Sequence, residues 1–369
     1  MRKGWEYKKL GEVCDITMGQ SPNGNSINEA NGVEFHQGKT CFGERFLGVS
    51  PLYSNAPTKL AEAHSVLLCV RAPVGYPNIT DRKICIGRGL CALYAKGEID
   101  NTFLYYSLLG KQSYFEKNAT GSTFKAISSK IVSNTTLSIP PLSTQLAIVS
   151  ELDKINELIR LKKEQLKDFD NLAQSLFYEM FGDPVENEKG WEVKKIKDIA
   201  KYYNGVAHEQ DVDKDGNFVL INAKFISSEG QIKKYTSIQR FPLLKNDIVM
   251  ELSDLPNGKS LAKCFLIDED NKYTLNQRIC CFRGFEGSSV YLKNIINRNP
   301  YLLSFDNGKG QTNLRKGDVE KIPIPLPPLS LQRLFAQRIE QIEREKSEVQ
   351  KSIQDLETLL ASRMQYWFE

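Results

Sequence analysis

Two stretches of the sequence, residues 143–180 and 330–367, lack proline and glycine and carry apolar residues at alternating spacings of four and three. This heptad spacing predicts two long α-helices, each with one apolar seam. The predicted helix–helix interface comprises Ile148, Leu152, Ile155, Ile159, Leu166, Phe169 and Leu176 in the first helix and Phe335, Ile339, Ile342, Val349, Ile353, Leu356 and Leu360 in the second. Lys162 and Lys346 interrupt the seam, where a lysine can lay its stem along apolar neighbours. Each helix would be roughly 57 Å long, which favours packing of the helices on each other over packing of each on its own domain.

The segments between the helices contain short, β-prone apolar runs separated by glycine turns. These runs are residues 65–70, 83–86 and 90–94 before the first helix, and residues 247–251, 261–267 and 278–282 before the second. Short helices are predicted at residues 101–117 and 290–305. The pattern predicts that each segment folds as an α+β domain with a curved, largely antiparallel sheet.

The sequence repeats itself once. Residues 5–13 (Trp-Glu-Tyr-Lys-Lys-Leu-Gly-Glu-Val) match residues 191–199, residues 139–145 (Ile-Pro-Pro-Leu-Ser-Thr-Gln) match residues 326–332, and residues 121–123 correspond to residues 310–312. So long a repeat indicates a duplicated domain with its helix, and equivalent units commonly relate by a twofold axis. The predicted fold is α+β, with two pseudo-twofold-related α/β domains (1–142 and 183–329) separated by two long antiparallel coiled-coil helices (143–182 and 330–369).

The composition is that of a globular protein, with 41% hydrophobic and 25% charged residues. No run of eighteen apolar residues occurs, and the first residues lack the apolar stretch of a signal peptide, so we expect a cytoplasmic protein with no membrane partner. The eight cysteines lie mostly in apolar runs without a Cys-x-x-Cys pair, which predicts reduced thiols in the core.

The sequence offers little for catalysis or metal binding. Its three histidines, His36, His64 and His208, have no neighbouring serine or cysteine in a nucleophile pattern and no zinc-ligand spacing. Residues 38–40 (Gly-Lys-Thr) and 258–260 (Gly-Lys-Ser) lack the earlier glycine of a phosphate-binding loop. We therefore expect no catalytic residue, no metal and no cofactor in this chain.

Charge and polar side chains point instead to a polyanion. Residues 1–142 and 185–329 carry net charges of +5 and +3, whereas residues 143–184 and 330–369 carry −3 and −1. Arginine suits guanine, and asparagine and glutamine suit adenine, so the mixture of these residues fits base reading. The candidate DNA-binding residues are Gln20, Ser21, Asn23, Arg45, Arg71, Arg82, Lys83, Arg88, Lys125, Asn222, Lys224, Lys233, Lys234, Lys259, Asn276, Gln277, Arg278, Arg283, Arg315 and Lys316.

With its duplicated plan, the chain resembles the specificity (S) subunit of type I restriction–modification systems. The resemblance rests on the Trp-Glu starts, the Pro-Pro-Leu-Ser-x-Gln turns and the helices that follow these turns, and it covers essentially the whole chain. Three further stretches of the first domain support it: residues 70–75 (Val-Arg-Ala-Pro-Val-Gly), 84–89 (Ile-Cys-Ile-Gly-Arg-Gly) and 121–127 (Gly-Ser-Thr-Phe-Lys-Ala-Ile). The second domain departs from the pattern, because residues 251–254 (Glu-Leu-Ser-Asp) stand where the first has residues 70–73.

The resemblance implies a non-catalytic subunit in which each target-recognition domain reads one half of a bipartite, double-stranded DNA target. The helices would set the gap between the half-sites and dock two methyltransferase (M) subunits, which bind S-adenosylmethionine and methylate adenine N6. Separate restriction (R) subunits would use ATP and Mg²⁺. By the family pattern, Arg71, Arg88 and Lys125 lie in or beside recognition loops. Two alternatives remain open: an S-like subunit of a type II methylase-nuclease system, and a coiled-coil adaptor whose domains bind protein.

Overall fold

The computed structural model describes residues 4–121, 125–208, 210–255 and 258–368. Its contacts divide the chain into unit 1, formed by Met1–Glu164 and Gln350–Glu369, and unit 2, formed by Gln165–Val349. Each unit therefore contains part of both long helices. The four segments predicted from the sequence have their boundaries at the ends of the helices instead.

Unit 1 contains eleven strands among its described residues. These are β1 (Glu6–Lys9), β2 (Cys14–Met18), β3 (Ile27–Asn28), β4 (Val33–His36), β5 (Tyr53–Ser54), β6 (Leu60–Ala61), β7 (Val66–Cys69), β8 (Pro77–Ile79), β9 (Ile84–Ile86), β10 (Leu90–Ala95) and β11 (Thr136–Ile139). The helices that begin in this unit are α1 (Leu10–Val13), α2 (Asn101–Leu109), α3 (Gln112–Asn118), α4 (Ser129–Asn134) and the long α5 (Leu142–Phe181).

Unit 2 repeats this plan. Its strands are β12 (Glu192–Lys195), β13 (Lys201–Asn204), β14 (Phe218–Ile221), β15 (Tyr235–Thr236), β16 (Ile248–Glu251), β17 (Ser253–Asp254), β18 (Cys264–Leu266), β19 (Tyr273–Leu275), β20 (Ile279–Arg283), β21 (Thr312–Asn313) and β22 (Pro323–Leu326). Its helices are α6 (Ile196–Ile199), α7 (Ala223–Ser227), α8 (Ser289–Ile296), α9 (Pro300–Leu303), α10 (Lys316–Val319) and the long α11 (Leu329–Phe368).

The central sheet of each unit is four-stranded and antiparallel, in the order β2-β10-β7-β8 in unit 1 and β13-β20-β16-β18 in unit 2. A second sheet follows in each, with the order β3-β5-β4-β9-β6 or β15-β14-β19. The α+β class and the largely antiparallel pairing are thus confirmed. Each second sheet also contains one parallel pair, β4 with β9 and β14 with β19, which the sequence did not predict.

The core of unit 1 forms where the central sheet packs against α2 and both long helices. Phe103 and Leu104 of α2, Leu152 of α5 and Phe368 of α11 belong to one buried cluster with the sheet residues. The rings of Phe103 and Phe368 lie 5.7 Å apart between centroids. Residues of both long helices are therefore part of this core.

The main core of unit 2 contains an aromatic cluster at the end of α5. The ring of Phe181 lies 4.7 Å from that of Tyr291 and 5.2 Å from that of Phe335, and Phe177 lies 5.7 Å from Phe335. Phe177 and Phe181 lie outside the predicted seam, because here α5 packs on the sheet and α8 as well as on α11. Gly182 ends the helix with φ +76°, as a C-terminal glycine does.

The two long helices run antiparallel within each unit. In unit 1, Arg363 Nη2 and Trp367 Nε1 each donate to Glu151 Oε2 at 3.0 Å, and Lys163 Nζ lies 3.1 Å from Glu357 Oε1. The residue number thus rises along α5 as it falls along α11. In unit 2 the same order holds, since Asp170 pairs with Lys346 and Phe177 packs on Phe335.

The predicted seam positions are buried or partly buried along both helices. Only four of them retain partial exposure: Leu166, Phe169, Leu356 and Leu360. The side chain of Lys346, which interrupts the seam, is 14% exposed and donates to Asp170 Oδ1 at 2.7 Å. A buried lysine is thus paired rather than left as an isolated charge.

Both short helices predicted from the sequence are broken in two. Gly110 separates α2 from α3, and a Cβ at this position would lie 2.7 Å from the Cβ of Phe368. The segment 290–305 breaks before Pro300, because proline has no N–H to donate and clashes with the preceding turn. Asn299 then caps α9 by accepting from the Tyr301 N–H at 3.0 Å.

Arg82, one of the predicted DNA-binding residues, has its guanidinium hydrogen-bonded within unit 1. Its Nε donates to Glu34 Oε2 at 2.6 Å and its Nη2 to Glu34 Oε1 at 2.7 Å. Asp81 and the carbonyl oxygens of Leu47 and Gly48 accept its remaining hydrogen bonds. These hydrogen bonds fix the guanidinium in place, and 32% of the side chain remains exposed.

Arg283 of unit 2, also predicted to bind DNA, is held by internal contacts as well. Its Nε and Nη2 donate to the two carboxylate oxygens of buried Asp247, at 2.9 and 2.6 Å. The guanidinium also lies 5.5 Å from the ring centroids of both Tyr203 and Phe241. Removing this arginine would leave a buried carboxylate without its partner, so its role is structural.

The cysteines are free thiols, and all are buried except Cys41, which is partly exposed. Burial raises the pKa of Cys14 and of Cys69 to about 12, which makes these thiols poor nucleophiles. Within the described part of the chain, no helix combines the length and the apolar character needed to cross a lipid bilayer.

We expect Leu152→Ala to destabilise unit 1 by about 2–5 kcal/mol, because it removes a fully buried side chain and leaves a cavity. Leu161→Ala, on the same helix and in the same unit, is the matched control, since that leucine is 46% exposed and should cost less than about 0.5 kcal/mol. Urea unfolding of the full chain measures both values. Equal losses in the two variants would contradict the observed seam.

The Glu34 carboxylate should make unit 1 less stable in acid. Burial alone would raise the pKa of Glu34, but hydrogen bonds from Arg82, the Ser50 N–H and His36 lower it to about 2. Its stabilising contribution is therefore full above the ordinary glutamate pKa and is lost as the pH falls from about 4.5 towards 2.

The test compares the wild-type chain with Glu34→Gln in unfolding experiments from pH 7 to pH 2. We expect Glu34→Gln to lower the free energy of unfolding by about 1–3 kcal/mol at pH 7, and this difference should shrink below pH 4.5. Glu29→Gln, at an exposed glutamate, controls for the loss of one carboxylate. A difference that stays constant down to pH 2 would refute this assignment.

Candidate nucleic-acid interface

In unit 1, three strand ends meet at one edge of the central sheet. Because β10 runs antiparallel to both β2 and β7, its start lies beside the ends of those two strands. We call this place edge 1 and define it as residues 19–20, 70–72, 87–89 and 125–128.

Main-chain hydrogen bonds fix edge 1. The Gly19 N–H donates to the Leu90 carbonyl at 2.9 Å, and the Val70 N–H donates to the Gly89 carbonyl at 2.9 Å. Val70 in turn accepts from the Ile127 N–H at 3.0 Å, and the Ala72 N–H donates to the Lys125 carbonyl at 3.0 Å. The segment around Lys125 is thereby attached to the end of β7, although it lies more than fifty residues further along the chain.

Two glycines permit the close backbone approach at edge 1. A Cβ at Gly19 would lie 2.1 Å from the Gly87 carbonyl oxygen, and one at Gly89 would lie 2.3 Å from the Gln37 carbonyl oxygen. Any larger residue would push these chains apart. The glycines therefore hold the loops in place, and their neighbours carry the functional side chains.

Exposed polar side chains occupy this edge. Gln20, Arg71, Arg88 and Lys125, all predicted from the sequence, are exposed and lie on four segments that the hydrogen bonds bring together. The structure shows no ion pair from Arg71, Arg88 or Lys125 to any residue in its described ranges. Three cations at one edge, without an ion pair to any described residue, can bind an anionic ligand.

Unit 2 has the same frame, which we call edge 2, at residues 205–206, 252–254, 277–278 and 312–315. The Gly205 N–H donates to the Ile279 carbonyl at 3.0 Å, and the Leu252 N–H donates to the Arg278 carbonyl at 2.9 Å. Leu252 accepts from the Leu314 N–H at 2.7 Å. These three bonds repeat three of the four in edge 1, and the pairing of Asp254 with Thr312 corresponds to the fourth, so the two edges are equivalent.

The hydrogen bonds correct the comparison of residues 251–254 with residues 70–73 by one position. Leu252, not Glu251, makes the bonds that Val70 makes in unit 1. Glu251 is equivalent to Cys69 and is 2% exposed, and its burial raises the pKa of its carboxyl to about 7. In this segment of edge 2, the side chains available to a ligand are therefore those of Ser253 and Asp254.

Edge 2 also carries sequence-predicted residues. Gln277 and Arg278 precede β20, Arg315 precedes α10, and all three are exposed. Asn276 is partly buried, and its carbonyl oxygen would lie 1.8 Å from a Cβ at Gly205. Exposed Lys259 lies in the loop that follows β17.

Several predicted residues of unit 1 lie elsewhere or have internal partners. Arg45 pairs with Asp153 and lies over the Phe46 ring, and Lys83 Nζ lies 2.7 Å from Glu62 Oε1. Asn23 accepts from the Asn25 N–H at 3.3 Å in a short turn, and neighbouring Ser21 is partly buried.

In unit 2, five further predicted DNA-binding residues lie outside edge 2, and the last of them, which directly follows the edge, has an internal ion pair. Asn222 caps α7 by accepting from the Phe225 N–H at 3.0 Å, and exposed Lys224 lies on the same helix. Lys233 and Lys234 are exposed just before β15. Lys316, directly after edge 2, lies 3.5 Å from Glu320 and 5.5 Å from the Tyr202 ring centroid.

Lys39 is a candidate that the sequence analysis missed. Its side chain is exposed. Lys39 lies beside edge 1, because the carbonyl oxygen of Gln37, two residues earlier, accepts from the Gly89 N–H at 3.1 Å. The Nζ atom of Lys39 lies 4.0 Å from the Tyr76 ring centroid. The only signal was the Gly-Lys-Thr sequence, which fails as a phosphate-binding loop. Residues 122–124 of the predicted 121–127 stretch lie outside the described residues.

A family model described as the type I restriction modification DNA specificity domain matches residues 2–168 and 188–358. The putative MjaX specificity subunit of a type I restriction enzyme from Methanocaldococcus jannaschii is 38% identical over 176 residues, 47% of this chain and 41% of that protein. The MjaIX specificity subunit from the same organism is 26% identical over 230 residues, 55% of this chain and 53% of that protein. The matches thus span about half the length of these relatives.

Two solved structures share the fold. The type I restriction-modification S subunit from M. genitalium gives a TM-score of 0.55 at 15% identity, covering 99% of this chain and 96% of that one. A chain from a structure of complex assembly and conformational transition of the type I R-M system gives 0.66 at 17% identity, covering 100% and 98%. Because the family model matches most of the sequence in two copies, the chain belongs to the type I restriction modification DNA specificity domain family.

Proposed function

We propose that this chain is the DNA-recognition subunit of a type I restriction–modification enzyme, in which each unit reads one half of a bipartite target. The observation that carries this proposal is the repetition of one hydrogen-bonded edge in both units, each with exposed side chains suited to nucleic acid. Membership of the DNA specificity domain family supports it.

The side chains at the edges fit direct reading of base pairs. A guanidinium donates two parallel hydrogen bonds to guanine O6 and N7, and a carboxamide pairs with adenine N6 and N7. Gln20 supplies the second chemistry at edge 1, and Arg278 and Gln277 supply the first and the second at edge 2. Rigid main-chain bonds behind these side chains would reduce the entropy that they lose on binding.

With Arg82 and Arg283 assigned to the fold, the proposed DNA contacts concentrate on the two edges. The proposed set is Gln20, Lys39, Arg71, Arg88 and Lys125 in unit 1, and Lys259, Asn276, Gln277, Arg278 and Arg315 in unit 2. Such residues divide into phosphate contacts, which position the duplex, and base contacts, which specify the sequence.

We assign catalysis to partner subunits. In this proposal two M subunits bind S-adenosylmethionine and methylate adenine, R subunits use ATP and Mg²⁺, and the present chain supplies recognition. Since the proposed ligand is duplex DNA, we place the protein with that DNA in the cytoplasm.

The long helices are proposed to set the gap between the half-sites and to dock the M subunits. Each helix is one continuous element of 40 residues with residues in both units. The seam residues predicted from the sequence would form the helix–helix interface. Exposed leucines at positions 158, 161, 172 and 359 leave apolar surface on the helices for a protein partner.

The experiment that tests the function is co-expression of this chain with a type I M subunit that co-purifies with it, followed by single-molecule sequencing for N6-methyladenine. We expect methylation at a bipartite motif with one modified adenine in each half. Cells that express the M subunit alone provide the control. A stable complex without any methylated motif would contradict the DNA-reading role and favour an adaptor, and a single methylase-nuclease partner would indicate a type II system.

Shortening both helices by one heptad should shorten the gap in that motif. Deleting residues 163–169 and 347–353 removes about 10 Å of helix, or about three base pairs of duplex, and preserves the seam and the exposed leucines. The half-site sequences should remain the same, because both edges lie outside the deleted segments. The same sequencing measures the gap, with the wild-type chain as the full-length control. An unchanged gap in the shortened variant would disprove the role of the helices as a spacer.

A further inference from the structure

The two edges share a main-chain frame but differ in charge. The common hydrogen bonds identify equivalent positions without reference to side chains, since Leu252 takes the place of Val70 and Arg278 that of Gly89. Cationic residues of edge 1 have neutral equivalents in edge 2 at three positions. These pairs are Arg71 and Ser253, Arg88 and Gln277, and Lys125 and Thr312.

At three other equivalent positions, the residue of edge 1 is neutral and the residue of edge 2 is charged. The pairs are Ala72 and Asp254, Gly89 and Arg278, and Ser128 and Arg315. Over these six positions edge 1 has three positive charges and no negative one, whereas edge 2 has two positive charges and one negative charge. Asp254 is fixed in place, because its Oδ2 accepts from the Ser260 N–H at 2.6 Å and the Leu261 N–H at 3.1 Å.

We infer that edge 1 supplies the larger share of the binding to DNA phosphates, whereas edge 2 contacts DNA mainly through uncharged donors and acceptors. The inference rests on the proposed function and adds an unequal division of labour between the units. Arg71, Arg88 and Lys125 make no ion pair with the residues that the structure describes, so no carboxylate competes with a phosphate for them. At edge 2 a fixed carboxylate repels phosphate.

Salt dependence measures this division directly. Each DNA phosphate that a protein cation neutralises releases condensed counterions. The logarithm of the association constant K therefore falls more steeply as the logarithm of the salt concentration rises. The magnitude of this slope therefore decreases by about one when a substitution leaves one phosphate without its protein cation. Base contacts by neutral side chains leave the slope nearly unchanged.

The experiment exchanges equivalent residues between the edges in the full chain. The probe is a fluorescently labelled, mixed-sequence 40-base-pair duplex, and anisotropy gives Kd from 50 to 300 mM KCl. We expect the pair Arg71→Ser and Arg88→Gln, made together, to lower the magnitude of the slope by about two and to weaken binding at least about tenfold at 100 mM. In the reverse exchange, Gln277→Arg should raise that magnitude by about one.

Two controls separate this inference from general loss of charge. Arg278→Gly with Arg315→Ser removes two positive charges from edge 2 and should lower the magnitude of the slope by less than one; φ of +67° at Arg278 suits glycine. Lys96→Gln removes one charge at the opposite end of β10 and should change nothing. Thermal unfolding verifies that each variant is folded.

An effect of the edge 2 pair equal to or larger than that of the edge 1 pair would overturn the unequal division while leaving the proposed function intact. A wild-type slope in the variant with Arg71→Ser and Arg88→Gln would also overturn it, since these two cations would then hold no phosphate. Weak, salt-independent binding by the wild-type chain would overturn the proposed function, and this inference with it.

Discussion

Burial of one face of the two long helices is the interaction on which the rest of the structure depends. A 40-residue helix in water gains little stability from its own hydrogen bonds. Most of its stability comes from packing of its apolar face. Here that face packs on the partner helix and also enters the core of each unit, through Leu152 and Phe368 in unit 1 and through Phe177 and Phe335 in unit 2. The strands that carry the edges are thus anchored to the helices by continuous apolar cores.

The edges show how one fold accommodates different recognition chemistry. Their positions depend on main-chain hydrogen bonds and on close approaches at glycines such as Gly19 and Gly205, neither of which requires a particular neighbouring side chain. Arg88 and Gln277 therefore occupy equivalent places, although one side chain is charged and the other is neutral. A duplicated scaffold of this kind can change what it binds by substitution at a few exposed positions, without a cost to its core.

Heptad spacing predicted the two long helices, apolar runs predicted the six principal strands, and matching segments predicted the duplication, because all three signals can be read directly from the sequence. It did not predict the parallel pair of β4 with β9, which depends on a contact between distant segments that no local pattern encodes. Nor did it predict the pair of Arg82 with Glu34, since the two residues lie 48 positions apart. At edge 2, the one-residue error at Leu252 arose because similarity between the halves is low there, and only the hydrogen bonds define the register.

Unit 1 is discontinuous in sequence, and this bears on how the protein is made. Unit 2 uses residues 165–349 only, so all of it has been synthesised before residues 350–368 are added. Those later residues include Phe368, which packs on Phe103 in the core of unit 1. The amino-terminal part of the chain must therefore wait, with part of its apolar surface uncovered, until after every residue of unit 2 has been made. The order in which the units are completed during translation is thus the reverse of the order in which they begin along the chain.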